Sequence, residues 1–304
     1  MLAESLYVLD GITFTVAGTA VGGDCDYLKL RSDPGMEVNL RAFGGSLDIM
    51  HTKITSWDFS TDDVDQTHED GRAYISAISE VLLDASESCE GAAKTQMGEA
   101  RMDVEKSEVA YLGYHASESW GLSWKLRGIC KDKSNLAQYK GVGVFGNMLN
   151  SHVHHMYFGQ YGYADLNALF DSNLVEHCEG YGYDPHDDSN NVTISHNYVR
   201  SNGNHGIIVS KYCDHALITN NLVEDNFGVG VFAHFVSNHA TISHNTIRGN
   251  GDSGVALLEA SGALVYNNTL SDNVHGIRLS VGSRDNVVAK NSVKTAPGYY
   301  DFYT

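Results

Sequence analysis

Val192-Thr193-Ile194-Ser195-His196-Asn197-Tyr198-Val199-Arg200-Ser201-Asn202-Gly203-Asn204-His205-Gly206-Ile207-Ile208-Val209-Ser210 carries the pattern that the second half of the chain repeats. It holds a short strand signal, an asparagine, a glycine nine residues after it, and a second apolar strand. The same order returns at Ala216-Leu217-Ile218, Asn221 and Gly230, and again at Ala240-Thr241-Ile242, Asn245 and Gly254. Working outward, the asparagines that close each unit are Asn173, Asn197, Asn221, Asn245, Asn268 and Asn291, spaced by 24, 24, 24, 23 and 23 residues. A fixed period near 24 with two or three short strands per turn marks a coil that stacks on itself. Each coil adds a rung about 4.8 Å high, paired in parallel with its neighbours. An asparagine repeated at a turn can pass amide hydrogen bonds to its counterpart one rung up and so satisfy buried backbone. The corner glycine is expected to meet a tight or positive-φ backbone. The expected fold is therefore all-β, a right-handed parallel β-helix forming one domain over residues 1–304.

The first 145 residues carry strand-like runs at broken spacing, among them Val38-Asn39-Leu40, Leu47-Asp48-Ile49 and Tyr74-Ile75-Ser76. Loop insertions are expected near 86–106 and 125–140. The second gathers Lys125, Arg127, Lys131, Lys133 and Lys140 against Asp132, and reads either as a solvated loop or as an arm over a polyanion. Both ends stop in mid-pattern, at Leu6–Gly11 and Tyr299–Thr304, as in a domain excised from a longer chain. The 31 glycines, 3 prolines and scarcity of helical spacing agree with an all-β chain. A formal charge of −18 argues against nucleic-acid binding. It does not exclude an anionic substrate, because the local field of a groove governs binding. No apolar run approaches the roughly 18–20 residues of a membrane span, and no signal-peptide pattern opens the chain. Five cysteines show no CxxC spacing, so no zinc site is expected; Cys89 and Cys130 are a candidate pair.

Side chains alternate in and out along a strand. In the strand after the corner glycine, Tyr183, Ile207, Val231 and Ile277 then point inward. Asp184, Ile208, Phe232, Ala256 and Arg278 share one outward column, and His186, Ser210, His234, Leu258 and Ser280 the next. Asp187, Lys211, Phe235, Glu259 and Val281 lie where the strand turns away, and the preceding rung contributes Tyr161 and Tyr163. Titratable groups of several chemistries beside aromatics suit a sugar groove, where rings pack on pyranoses and cations hold carboxylates. A polar face serving solubility alone is the other reading. Pro185, lacking an N–H, implies a local distortion of its strand.

The run Tyr181-Gly182-Tyr183-Asp184-Pro185-His186-Asp187 resembles the signature of the mannuronan C5-epimerases, the alginate-modifying β-helix enzymes. Tyr111-Leu112-Gly113-Tyr114-His115-Ala116-Ser117-Glu118-Ser119-Trp120-Gly121 resembles the segment upstream of that motif in the periplasmic bacterial members. His205-Gly206-Ile207-Ile208-Val209-Ser210 and His275-Gly276-Ile277-Arg278 resemble their later rungs, so the likeness covers roughly residues 45–300. The resemblance implies that Tyr181, Asp184 and His186 are catalytic. Lys211 falls where the periplasmic enzymes have an arginine facing the substrate carboxylate; lysine keeps the charge but loses the bidentate fork. Ser210 stands where the secreted calcium-dependent members have an acidic residue, and their Gly-rich nonapeptide repeats are missing from this sequence. No cofactor is implied, calcium being left open. The implied partner is polymannuronate or alginate, with no nucleic acid and no membrane span. The implied setting is the extracellular space or the cell wall, the insertions resembling those of brown-algal members.

Epimerisation at C5 removes a proton alpha to a carboxylate and returns one on the opposite face. The site must neutralise the carboxylate, accept a proton and donate another. His186 has a reference pKa suited to a base near neutrality, and Tyr181 can donate from the other side. Asp184 is expected to orient His186 or to help bind the carboxylate through a cation, and Lys211, with Arg278, to hold that carboxylate. Tyr161, Tyr163, Asp187, His205, His234, Glu259 and Arg278 are groove candidates for substrate binding, and no metal ligands are assigned. Two other functions fit the same stripe: an alginate lyase, which forms the same carbanion and then expels the 4-O substituent, and a non-catalytic polysaccharide-binding β-helix.

Overall fold

The computed structural model describes residues 1–82, 94–95, 98–116, 118–127 and 143–304. The chain winds into a right-handed parallel β-helix with three sheets running the length of the stack. Sheet 1 contains Asn39–Phe43, Tyr74–Leu82, Gly121–Arg127, Phe158–Tyr163, Tyr183–His186, Ile207–Ser210, Val231–His234, Ser253–Leu258 and His275–Ser280 in spatial order. Each coil continues through a strand of sheet 2, such as Thr193–Ser195, and one of sheet 3, such as Tyr198–Arg200, before returning to sheet 1. Among the described residues the only helix is the short 3₁₀ turn Thr19–Val21, and no helix is long and apolar enough to cross a membrane.

Inward side chains stack in columns, and the register reproduces the expected one. Tyr183, Ile207, Val231, Val255 and Ile277 are successive partners, all fully buried. The corner between sheets 2 and 3 is held by the expected asparagine ladder. The Asn197 backbone N–H donates to Asn221 Oδ1 (2.9 Å). Asn197 Nδ2 donates both to that same oxygen (3.0 Å) and to the Phe170 carbonyl (2.8 Å). The pattern repeats through Asn221, Asn245 and Asn268. A second ladder at the corner between sheets 3 and 1, Asn202, Asn226, Asn250 and Asn273, works the same way and escaped the sequence reading.

Of the two backbones expected at the corner glycines, tight or positive φ, the structure shows the tight one. Gly182, Gly206 and Gly230 do not adopt positive φ; a Cβ on Gly206 would lie 2.6 Å from Val223 Cγ1 and 2.8 Å from the Gly230 carbonyl oxygen. Close approach, not handedness, demands glycine there. The left-handed positions are filled instead by His196, Asn220 and His244, each one residue before a ladder asparagine. The boundaries of the two expected insertions also shift. Arg101–Glu105 is a sheet 2 strand, and Lys125 and Arg127 belong to the sheet 1 strand Gly121–Arg127, not to a loop. The remainder of both insertions, with Cys89, Cys130, Lys131, Lys133 and Lys140, lies largely outside the described residues. Of the described cysteines, Cys25, Cys178 and Cys213 are free thiols.

The ladder's contribution can be measured at one rung. Asn221→Ala removes the acceptor of Asn197 and the donor to Ile194 and Asn245, stranding buried polar groups. It is expected to cost about 3 kcal/mol or more, read as a fall in Tm by circular dichroism. Asn291→Ala, at a less buried rung, is expected to cost about 1 kcal/mol. Equal losses at the two rungs would mean that burial of the ladder is not what gives it value.

Candidate active site

The motif strand Tyr183–His186 is anchored from inside the coil. The Tyr183 hydroxyl donates to Asn197 Oδ1 (3.0 Å) and accepts from Asn173 Nδ2 (3.2 Å), so the core fixes the strand to the asparagine ladder. With Tyr183 inward, Asp184 and His186 must face out. They stand opposite Tyr161 and Tyr163 on the preceding rung. Pro185 lies opposite Gly162 on that side. Towards Ile207–Ser210 the paired residues are Tyr183 with Ile207 and His186 with Ser210, the middle of the strand falling out of the ladder where proline offers no N–H. The chain then turns through two left-handed residues, Asp187 (φ 36°) and Asp188 (φ 63°), stacked on Lys211 and Tyr212 in the same conformation.

His186 Nδ1 lies 2.5 Å from Asp187 Oδ2. An ionised carboxylate can only accept, so Nδ1 carries the proton and Nε2 is left as a proton acceptor. Asp187, expected on sequence in substrate binding, is thus the acid bonded to His186, one of the two roles expected for Asp184. Lys211 Nζ stands 4.0 Å from the same Asp187 oxygen and remains about half exposed. Asp184 is 2% exposed, and its Oδ1 has no hydrogen-bond partner. Burial pushes its carboxyl up to about 7, with Asp187 adding to the rise and His186 and Lys211 opposing it. Burial also raises the Tyr181 phenol, and Asp184 raises it further, so Tyr181 holds its proton at neutral pH. The Tyr161 phenol is raised by the same causes, its ring centroid 6.0 Å from that of His186.

Tyr181 sits among aromatic rings. It lies 4.8 Å from Phe158 and stacks on His205 at 5.4 Å and 18°. The Val229 N–H donates to His205 Nδ1 (2.9 Å), which places the His205 proton on Nε2, and burial lowers that imidazole to about 4. Below the motif the outward column turns apolar: Ile208, Phe232 and Ala256 form a small cluster with Val229, covered in part by Tyr181 and Leu258. On the other side Trp120, Tyr157 and Phe158 stack on one another, a platform the sequence reading quoted in part without assigning it a role.

Other candidates are spread along the face. Ser210 and His234 follow His186 in one column, joined by Ser210 Oγ to His234 Nδ1 (2.9 Å). Arg278 stands four rungs from Asp184, roughly 19 Å at about 4.8 Å per rung, and pairs with Asp252. From Lys211 it is three rungs, roughly 14 Å at about 4.8 Å per rung, so the structure does not bring the two cations together. Glu259 lies three turns beyond Asp187, beside a 440 Å³ recess also lined by Val236, His239 and Arg284. None of the motif residues lines that recess. Inside the coil, Asp165 is fully buried and held protonated by burial, 3.5 Å from Gln160 Nε2. No pattern in the sequence marks it.

Asp184 yields a stability test. Its folded value is raised, so the stability it confers is full below about pH 4 and is lost as pH rises through about 7. Asp184→Asn is expected to melt above the wild type at pH 8, the gap closing towards pH 4, in thermal scans at both pH values. A variant that melts below the wild type at pH 8 would show that ionised Asp184 is favourably bonded.

Three comparisons place the chain among known proteins. Residues 133–239 and 187–299 match the family model for the right handed beta helix region, together more than half of the sequence. A 115-residue stretch is 30% identical to the mannuronan C5-epimerase of Pseudomonas syringae pv. tomato, covering 37% of this chain; the chain thus spans only 20% of that relative. Among solved structures, the periplasmic alginate epimerase AlgG is similar at 19% identity over 91% of this chain and 75% of its own, with a TM-score of 0.59. The A-module of the Azotobacter vinelandii mannuronan C-5 epimerase AlgE6 is similar at 16% identity over 94% and 82%, with a TM-score of 0.57. At these identities the structures speak for the fold, and the matched residues settle membership: the chain belongs to the right-handed β-helix family.

Proposed function

We propose that this protein is a mannuronan C5-epimerase, converting β-D-mannuronate to α-L-guluronate residues within polymannuronate, outside the cytoplasm. The observation that carries the reading is His186, bonded through Nδ1 to Asp187 so that Nε2 is left to accept, beside a buried Asp184 whose Oδ1 has no hydrogen-bond partner among the described residues. The sequence likeness to a mannuronan C5-epimerase supports it. In this reading His186 Nε2 takes the C5 proton, and the electron pair left behind delocalises into the carboxylate. Asp187 stabilises the imidazolium that forms. Tyr181 then delivers its phenolic proton to C5 from the opposite face. His186 releases its proton to solvent and the tyrosinate recovers one, so solvent hydrogen enters the product. Lys211 offsets the growing charge, and neutral Asp184 donates a hydrogen bond to the same carboxylate, as a buried acid with a raised value can. Tyr161, Tyr163, His205 and His234 line the polymer, while Glu259 and Arg278 would meet sugars further along it.

Incubation with polymannuronate in deuterated water tests the reading. Deuterium at C5 of new guluronate, by proton NMR, with chain length unchanged is the expected result. Unsaturated chain ends would mean a lyase; binding without either product would mean a polysaccharide-binding β-helix.

Within that assay, His186→Ala and Tyr181→Phe are each expected to lower turnover at least about 100-fold with the fold intact. Lys211→Arg should keep activity, whereas Lys211→Met should lose kcat more than affinity, because neutralisation matters most as the carbanion forms. A rise in KM alone would reduce Lys211 to a binding contact.

The role of Asp184 as a neutral donor predicts an alkaline fall in kcat near pH 7. Asp184→Asn, still a neutral donor, should keep part of the activity and flatten that limb, while Asp184→Ala should lose about 100-fold. An Asn variant as inactive as Ala across the pH range would rule the neutral-donor role out.

A further inference from the structure

A second charged cluster lies two rungs before the motif on the same outer face. Lys125 is the register partner of Tyr163, which is the partner of His186. Lys125 and Arg127 project from Gly121–Arg127, and Arg41 from Asn39–Phe43. All three meet the Glu118 carboxylate. Arg127 grips it with two nitrogens, Nε at 2.6 Å from Oε1 and Nη2 on Oε2. Lys125 Nζ stands 3.3 Å from Oε1, and Arg41 Nη1 4.0 Å from Oε2. The four side chains are only 14–25% exposed. Arg41 and Arg127 lie against the rings of Tyr74 and Phe43, and Arg41 Nε is buried without a partner. Glu80 faces Arg127 on the neighbouring strand, so among the described residues of the cluster three cations stand against two acids. In a chain of net charge −18 this is a local excess of positive charge. Burial alone would raise the Glu118 carboxyl, but the Arg127 bond and the fields of Lys125 and Arg127 outweigh it and hold the group below its usual range.

We propose that this cage is a subsite for a carboxylate of the polyuronate chain, and that Glu118 fills it in the free protein as an internal stand-in. The proposal rests on the epimerase reading of the His186 site. A guanidinium fork with an ammonium beside it is the donor set that a uronate carboxylate requires. Two rungs amount to roughly 10 Å at about 4.8 Å each. The cage therefore meets a sugar further along the strand than the reacting one. Glu118 lies outside the strands, at a left-handed position (φ 75°), and can yield to a competing carboxylate without breaking sheet 1.

The test measures equilibrium binding of polymannuronate and of short mannuronate oligomers by calorimetry at low and high salt, with kinetics in parallel. Lys125→Ala should weaken polymer binding about tenfold, the scale of one charge-assisted contact, and raise KM more than it lowers kcat. Oligomers too short to reach the cage should bind Lys125→Ala and wild type alike. Glu118→Gln should tighten polymer binding about threefold by freeing the cations. Melting curves would identify a misfolded variant, and Lys125→Arg, which keeps the charge, should restore binding. Unchanged polymer binding in a folded Lys125→Ala protein, or an equal loss on short oligomers, overturns the subsite. Weaker binding in a folded Glu118→Gln protein overturns the stand-in. Failure of the wild type to form guluronate would sink the catalytic reading instead, and the binding arms would still decide the subsite.

Discussion

Buried backbone at the corners of a coil must be hydrogen-bonded without water, and an asparagine at each of two corners per turn meets that need in the second half of the coil. Each ladder asparagine accepts from the backbone and amide of the rung before and donates to the rung after. This is a complete accounting of amide donors and acceptors in a place where an orphan would cost 1–3 kcal/mol, about the scale of a buried unmet bond. The ladder also fixes how coils stack, and so which outward side chains line up. Its link to the site is direct: Tyr183, whose hydroxyl joins the ladder, is the neighbour of Asp184. The outward side chain is positioned by a bond on the opposite side of the strand.

The motif strand breaks several local rules. Pro185 gives up a ladder bond, Asp184 buries an oxygen with no partner, and Asp187 and Asp188 are consecutive left-handed residues without being glycine. Such departures cost of order 1–3 kcal/mol each and persist only where the surroundings over-determine them. The surroundings do so here. Tyr161 and Tyr163 pin the strand from one side and Ile207 and Ser210 from the other, while the turn repeats its conformation in Lys211 and Tyr212.

The second half of the coil was readable because its corner residue is asparagine at a constant spacing. The first half was not, although the same corner continues there. Thr52, Ser107 and Ser151 take the ladder's place: the Ser107 and Ser151 hydroxyls accept from the Thr52 and Ser107 backbone N–H groups one rung back, and the Ser151 N–H donates to Asn173 Oδ1, where the asparagines begin. Ser and Thr are too common to reveal a column. The register partners there, Leu40 with Ile75, Ile75 with Leu122 and Ser123 with Tyr161, are also 35, 47 and 38 residues apart. Sheet alternation was enough to group Asp184, His186 and Lys211 on one face. It could not tell which acid touches His186, because that depends on the turn at Asp187, nor how far Arg278 stands from the motif.

In a chain of net charge −18, where the positive charge sits matters more than how much of it there is. Much of the surface charge is absorbed in pairs, such as Arg200 with Glu176 and Arg248 with Glu224 on sheet 3. On sheet 1 the balance differs: Lys211 is half exposed beside the motif, and Arg127, Lys125 and Arg41 crowd round Glu118 two rungs away. Around the reacting position, burial works in the complementary sense. It keeps Tyr181 and Asp184 protonated, while a neighbouring carboxylate keeps His186 ready to accept. One acceptor, two donors and a nearby cation thus share one face, and a strand fixed to the ladder presents them together; the proposed transfer of a proton across C5 would draw on that set.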